Sequence, residues 1–156
     1  MKKWLLLIGI LLLVSWIKNG NTPAEDAGEL EPVQLLVAEW TEGKLRLRTD
    51  NGYEGWGDTV QKALADLKES APVKLFLDTA DYLLVRKNAL PCLEELMDAL
   101  RPSCSIATMA GAIEPAEAVK YLASHVPQTT IAMYRAGKRT LSQLWSEEGR
   151  MKLVPG

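Results

Sequence analysis

The chain has 156 residues, 47% of them apolar, enough for one domain with a real core, and this excludes disorder of the chain as a whole. Its 18 basic and 20 acidic residues leave a formal charge of −2, so no long-range field draws it to nucleic acid or to an anionic membrane surface. Nothing in it resembles a nucleic-acid footprint.

The first residues, "MKKWLLLIGILLLVSWIKNG", join two lysines to an unbroken apolar run from Trp4 to Ile17, the way a bacterial export signal begins. Fourteen residues of helix at about 1.5 Å each reach roughly 21 Å, short of the roughly 30 Å hydrocarbon core unless Lys3 and Lys18 snorkel or the bilayer thins. Thr22-Pro23-Ala24 is the nearest approach to a small-x-small cleavage site. Residues 1–18 therefore read as a signal peptide or as a membrane anchor. Either places the rest of the chain outside the cytoplasm, held at the cell or spore inner membrane or, if the signal is cleaved, secreted. Residues 19–32 are polar, acidic and rich in Gly, Pro and Asn, which reads as a flexible linker.

A single domain is expected over 33–156. "VQLLVAEW" and "KLRLRTD" flank Thr41-Glu42-Gly43 and predict a β-hairpin, with Leu45 and Leu47 on one face and Lys44, Arg46 and Arg48 on the other. Those three cations read as a solvated face. "NGYEGWGDTVQKAL" then places Gly52, Gly55 and Gly57 ahead of a helix over Asp58–Glu69 whose Val60, Ala63, Leu64 and Leu67 share one side. The glycine spacing is neither the P-loop nor the dinucleotide fingerprint. It reads as a turn, with Asp58 at or next to the cap position, where its carboxylate can satisfy helix N–H groups.

Two strands follow, Val73–Leu77 and Tyr82–Arg86, then a helix with Leu93, Leu96, Met97 and Leu100 on its buried face, Asn88 as cap and Pro91 in the first turn. "SIATMA" reads as a strand and Glu114-Pro115 opens a third helix carrying Ala118, Val119 and Leu122. Beyond Pro127, "TTIAMYRAGK" is ambiguous, "TLSQLWSEEG" reads as a short helix ending at Gly149, and "MKLVP" as a last strand. The sum is an α/β (α+β) fold, a mixed sheet with an N-terminal hairpin and three to four packed helices, preceded by the N-terminal apolar helix. Val60, Leu64, Leu67, Leu75, Leu93, Leu96 and Ile106 are expected in one core.

Few residues point to chemistry. Asp78 and Asp81 share a turn, where paired carboxylates can share a proton or hold a cation, but Asp also favours turns for its side-chain bonds to nearby backbone. His125 is the single histidine, at a helix end. It lacks the partners a zinc site needs, and no serine lies in a nucleophile-elbow context. No metal and no cofactor are expected. Cys92 and Cys104 meet an oxidising environment after export, but a disulfide is disfavoured because the chain would have to double back along the intervening helix. Trp56, flanked by Gly55 and Gly57, is the candidate contact residue, with Asp78 and Asp81 as further candidates.

The stretch "GWGDTVQKALADLKESAPVKLFLDTADYLLVRKNAL" resembles the N-terminal domain of the C subunits of bacterial spore germinant receptors, the Ger(x)C lipoproteins, here without their lipobox cysteine and large C-terminal part. Gly55–Asp58, Thr59–Leu64, Lys74–Leu77 and Leu83–Val85 stand where that family has its Gly-rich turn, helix core, strand and second apolar strand. "TLSQLWSEEGRMKLVP" is similar to the family's closing helix and extended segment. The resemblance implies a non-enzymatic extracytoplasmic protein in spore germination, acting by protein–protein contact with integral-membrane partners. The readings from other classes are a small-molecule-binding extracytoplasmic module, which needs a concave pocket with convergent polar groups, and a hydrolase built on Asp78, Asp81 and His125.

Overall fold

The computed structural model describes residues 30–156. The apolar run of residues 4–17 and most of the 19–32 linker lie outside the described residues. In chain order the strands are β1 (Leu30–Pro32), β2 (Leu35–Thr41), β3 (Lys44–Thr49), β4 (Glu54–Gly57), β5 (Lys74–Phe76), β6 (Tyr82–Arg86), β7 (Ser105–Ala110), β8 (Ser142–Glu147) and β9 (Arg150–Val154). The α-helices are α1 (Val60–Ser70), α2 (Leu93–Asp98), α3 (Pro115–Ser124) and α4 (Ile131–Arg135).

Seven strands form one mixed sheet in the order β4-β3-β2-β6-β7-β8-β9. β2, β6, β7 and β8 run parallel in the middle, and antiparallel hairpin partners close the sheet at both ends. Strict alternation sorts the central strands between two cores. Leu36, Ala38, Leu45, Leu47, Leu83, Val85 and Ile106 face α1, α2 and Ile131 of α4. Leu35, Val37, Leu84, Ala107, Met109 and Leu144 face Ala118 and Leu122 of α3. The sheet is covered on both sides, which is why β2, β6 and β7 read as near-continuous apolar runs.

The expected mixed α/β architecture is present, and several elements differ in detail. The first hairpin turns on two residues, Glu42 (φ 53°) and Gly43 (φ 77°), both left-handed, as a right-twisting hairpin prefers. "TLSQLWSEEG" is strand β8 and not a helix. It enters a second hairpin through Glu148 (φ 49°) and Gly149 (φ 76°), the same Glu-Gly turn. β5 covers only Lys74–Phe76, and it leaves the main sheet to pair in parallel with β1, so Leu30–Pro32 belongs to the folded unit and not to the linker. Asn88 does not cap a helix. Lys87–Cys92 is a 3₁₀ stretch, and the Asn88 side chain accepts from Trp40 N–H (3.2 Å) and donates to Trp40 C=O (2.8 Å), pinning the end of β2. Of the expected core, Val60, Leu67, Leu75, Leu93, Leu96 and Ile106 are buried, and Leu64 is half-buried against the same cluster.

The Gly-rich segment is corrected most. Glu54–Gly57 is not a turn but the outermost strand, β4, and Thr59, not Asp58, caps α1, its hydroxyl accepting from Lys62 N–H at 3.2 Å. Asp58 instead pairs with Lys62 at 3.4 Å on the surface. Gly55 and Gly57 face α1 so closely that a Cβ on either would overlap the helix backbone at Leu67 and Ala63. The glycines set the distance between helix and strand.

Candidate functional site

Alternation decides what the other side of β4 carries. With Gly55 and Gly57 turned to α1, Glu54 and Trp56 point to the opposite face, next to Arg46 and Arg48 of β3, which stand across from them in register. Glu39 near the end of β2 and Arg86 at the end of β6 share that face by the same rule, since Leu36, Ala38, Leu83 and Val85 take the other. α3 covers the neighbouring β2, β6, β7 and β8 stretch of this face with Ala118 and Leu122. What it leaves uncovered is a surface of one aromatic, three guanidinium groups and two carboxylates.

The surface is ordered by charge-assisted bonds. Glu39, only 7% exposed, receives Arg86 Nε at 2.9 Å and Arg48 Nη2 at 3.2 Å, with Arg46 Nη1 at 3.8 Å. Arg46 also donates to one oxygen of Glu54, Oε2, from both Nε (2.7 Å) and Nη2 (2.6 Å), which holds the guanidinium plane in place. That plane lies 5.0 Å from the centroid of the Trp56 ring, a cation–π contact of about 0.5–1 kcal/mol. Trp56 is thereby held half-exposed in one orientation. Sequence reasoning read Arg46 and Arg48 as a solvated face because alternation shows only that they turn away from Leu45 and Leu47. The missed signal is Glu39, a single acid inside "LLVAEW", a run otherwise fit for burial.

The edge of the sheet beside Trp56 is sealed. Trp56 N–H donates to Asp66 Oδ2 at 2.7 Å, and Glu54 C=O accepts from Ser70 Oγ at 2.9 Å, so two α1 side chains occupy the outward backbone groups of β4. A partner strand cannot add there without displacing them. What this end of the molecule leaves accessible is the face, not the edge.

No family model, curated protein or solved structure matches this chain.

The other candidates are not brought together. Asp78 lies within the 3₁₀ turn Leu77–Thr79 and Asp81 just beyond it, and they serve different neighbours. Asp81 pairs with Arg101, which also donates to Ala80 C=O at 3.1 Å, while Asp78 borders a shallow hollow with Phe76 and Lys68. Neither carboxylate joins the Trp56 surface. His125 closes α3, stacked 4.2 Å from Tyr121 with Nδ1 3.1 Å from Tyr121 C=O, a helix-end role. Among the described residues no group of His, Cys, Asp and Glu has the arrangement of a metal site. Cys92 and Cys104 are free thiols. Cys104 is buried just before β7, and burial pushes its thiol up to about 12; Arg101 opposes the shift and Asp81 adds to it. Arg135, Lys138 and Arg139, close together in the sequence, reach separately to Asp98, to Gln128 C=O and to Glu94.

Trp145 is the exposed aromatic that the sequence hid. As a helix residue it would face a core. As a strand residue it stands 45% exposed on the opposite face from Leu144, across from Lys152 and Ala110.

Proposed function

We propose that the chain is a non-enzymatic extracytoplasmic protein that works by protein–protein contact with integral-membrane partners, resembling in this the N-terminal domain of spore germinant-receptor C subunits. The observation that carries the reading is Trp56, held half-exposed by Arg46 on an uncovered sheet face. A rigid aromatic backed by a charge-paired arginine is the composition of an interface anchor, and it costs little ordering entropy on binding. The lysines and apolar run of residues 2–17 support export and attachment at the cell or spore inner membrane. A domain tethered by a short coil meets other membrane proteins at high effective concentration, so a modest interface suffices. Among the described residues no helix is long and apolar enough to cross a membrane, so on this reading residues 4–17 alone make the attachment.

The test is co-purification from detergent-solubilised membranes. Trp56→Ala is expected to weaken recovery of membrane partners while costing about 1 kcal/mol or less of stability, the loss of one exposed cation–π contact and part of a ring's packing. Unchanged recovery would sink the reading. A second reading, a small-molecule-binding module, is favoured by one observation, a hollow of about 370 Å³ bordered by Glu39, Arg48 and Arg86.

A further inference from the structure

The 370 Å³ hollow lies where the fold directs its connections apart. After β6 the chain passes through the 3₁₀ stretch into α2 on one face, and after the adjacent β7 it passes through Gly111, Ala112 and Ile113 into α3 on the other. A crevice opens at the carboxyl ends of two neighbouring parallel strands whose connections diverge in this way, and open α/β sheets bind ligands there. Its floor is Glu39, Arg48 and Arg86, and its rim is the β7–α3 loop with Glu114. Arg86 ties floor to rim by donating to Gly111 C=O at 2.8 Å.

The donors and acceptors in this crevice do not balance. Arg48 and Arg86, the two cations that line it, share the single carboxylate of Glu39, while Glu114 lies on the rim and pairs with neither. Arg48 Nε is buried with no hydrogen-bond partner, although a guanidinium has five N–H groups to satisfy and a buried orphan donor is costly. Glu114 precedes α3 and makes no side-chain cap, so the first N–H groups of this ten-residue helix at the rim have no side-chain acceptor from the cap position. A second hollow of about 170 Å³ continues from Arg48 toward Tyr53, Glu114 and Pro115, which leaves the Arg48 side chain room to swing.

We infer that the crevice is a binding site for one carboxylate group, held by Arg48 and Arg86 beside the first turn of α3. A planar carboxylate matches the guanidinium fork and supplies an acceptor for the Arg48 Nε that Glu39 leaves without a partner. Arg48 is its principal donor, turning so that Nε reaches the incoming oxygen. Glu114 competes for the same position from the rim. The site shares Arg48 and Arg86 with the surface that carries Trp56 and does not use Trp56 itself. The carboxylate comes either from a free small acid or from an acidic side chain of a bound protein.

The test follows the 15N resonances of the arginine Nε–H groups in the purified full chain in detergent micelles, titrated with sodium acetate at constant ionic strength. The expected result is a saturable shift confined to Arg48 and Arg86. Arg48→Lys, which keeps the charge and loses the fork, should weaken acetate binding about tenfold. Glu114→Gln should tighten it. If Arg48→Lys fails to fold, Arg86→Lys reads out the same site through Arg48. A linear shift shared by all exposed arginines, or an Arg48 signal that acetate does not move, would overturn the inference. Co-purification separates the two sources: loss of membrane partners together with acetate binding in Arg48→Lys assigns the carboxylate to a protein, and their retention assigns it to a free acid. Should Trp56→Ala leave partners bound while acetate still saturates Arg48, the contact reading fails and the carboxylate site stands.

Discussion

At the scale of single residues, Glu39 organises the candidate surface. Removing its carboxylate leaves Arg46, Arg48 and Arg86 facing one another with a single remaining acid at Glu54. Glu39→Gln should cost about 2–3 kcal/mol in urea denaturation, below the figure for a fully buried pair because Arg46 and Arg86 keep about a third of their side chains in water. A loss under 0.5 kcal/mol, the scale of ordinary surface changes, would mean the cluster is solvated and does not order the face. Cys104 makes a second residue-scale prediction. Its folded thiol ionises near 12 against an ordinary value of 9.0, so neutral thiol is common to both states below pH 9. The stability this group contributes is fully present there and is lost as pH rises from 9 toward 12, where only the unfolded chain holds a thiolate. A thiol reagent at pH 8 should label half-buried Cys92 and leave Cys104 unlabelled until the chain is denatured. Equal rates in the native protein would contradict the burial.

Elements were legible in the sequence where periodicity and punctuation agreed. α1, β6, β7 and α3 stand where spacing put them, and Pro115 opens α3 at its first position. β8 was missed because Leu141, Leu144 and Trp145 imitate helical spacing over so short a run, while the strand pattern has only Ser142 and Leu144 turned inward. The corrective signal was present. Glu148-Gly149 repeats the Glu42-Gly43 of the first hairpin, and both pairs adopt the same left-handed turn. The glycines of β4 were misread for a different reason: a turn and a close helix contact both favour glycine, and only the fold says which is in force. The cluster on the uncovered face was legible only in part: Glu39 and Arg48 sit in the one predicted hairpin, but Arg86 joins them from β6 only through sheet register. At this scale Gly57→Ala should push α1 off β4, costing about 1–3 kcal/mol, while Gly52→Ala, where nothing stands near the missing Cβ, should cost less and only through its positive φ. Equal costs would mean the β4–α1 contact is looser than the structure places it.

For the molecule as a whole, the fold leaves a prearranged polar face open at the β4 end of the sheet. Helices cover both sides of the parallel centre, α1 side chains seal the β4 edge, and the Trp56–Arg46 face beside that edge is left open with its charges prearranged. The proposal adds orientation: the domain stands outside the cytoplasm, so protease added to intact protoplasts should digest it, and protection would mean the reverse orientation. The most direct measurement is photo-crosslinking in intact cells from a benzoylphenylalanine placed at position 56, with the same probe at exposed Glu69 on α1 as control. Crosslinks to integral-membrane proteins from position 56 and not from position 69 are predicted; equal crosslinking from the two positions, or none from position 56, would contradict the assignment of this face to a membrane partner.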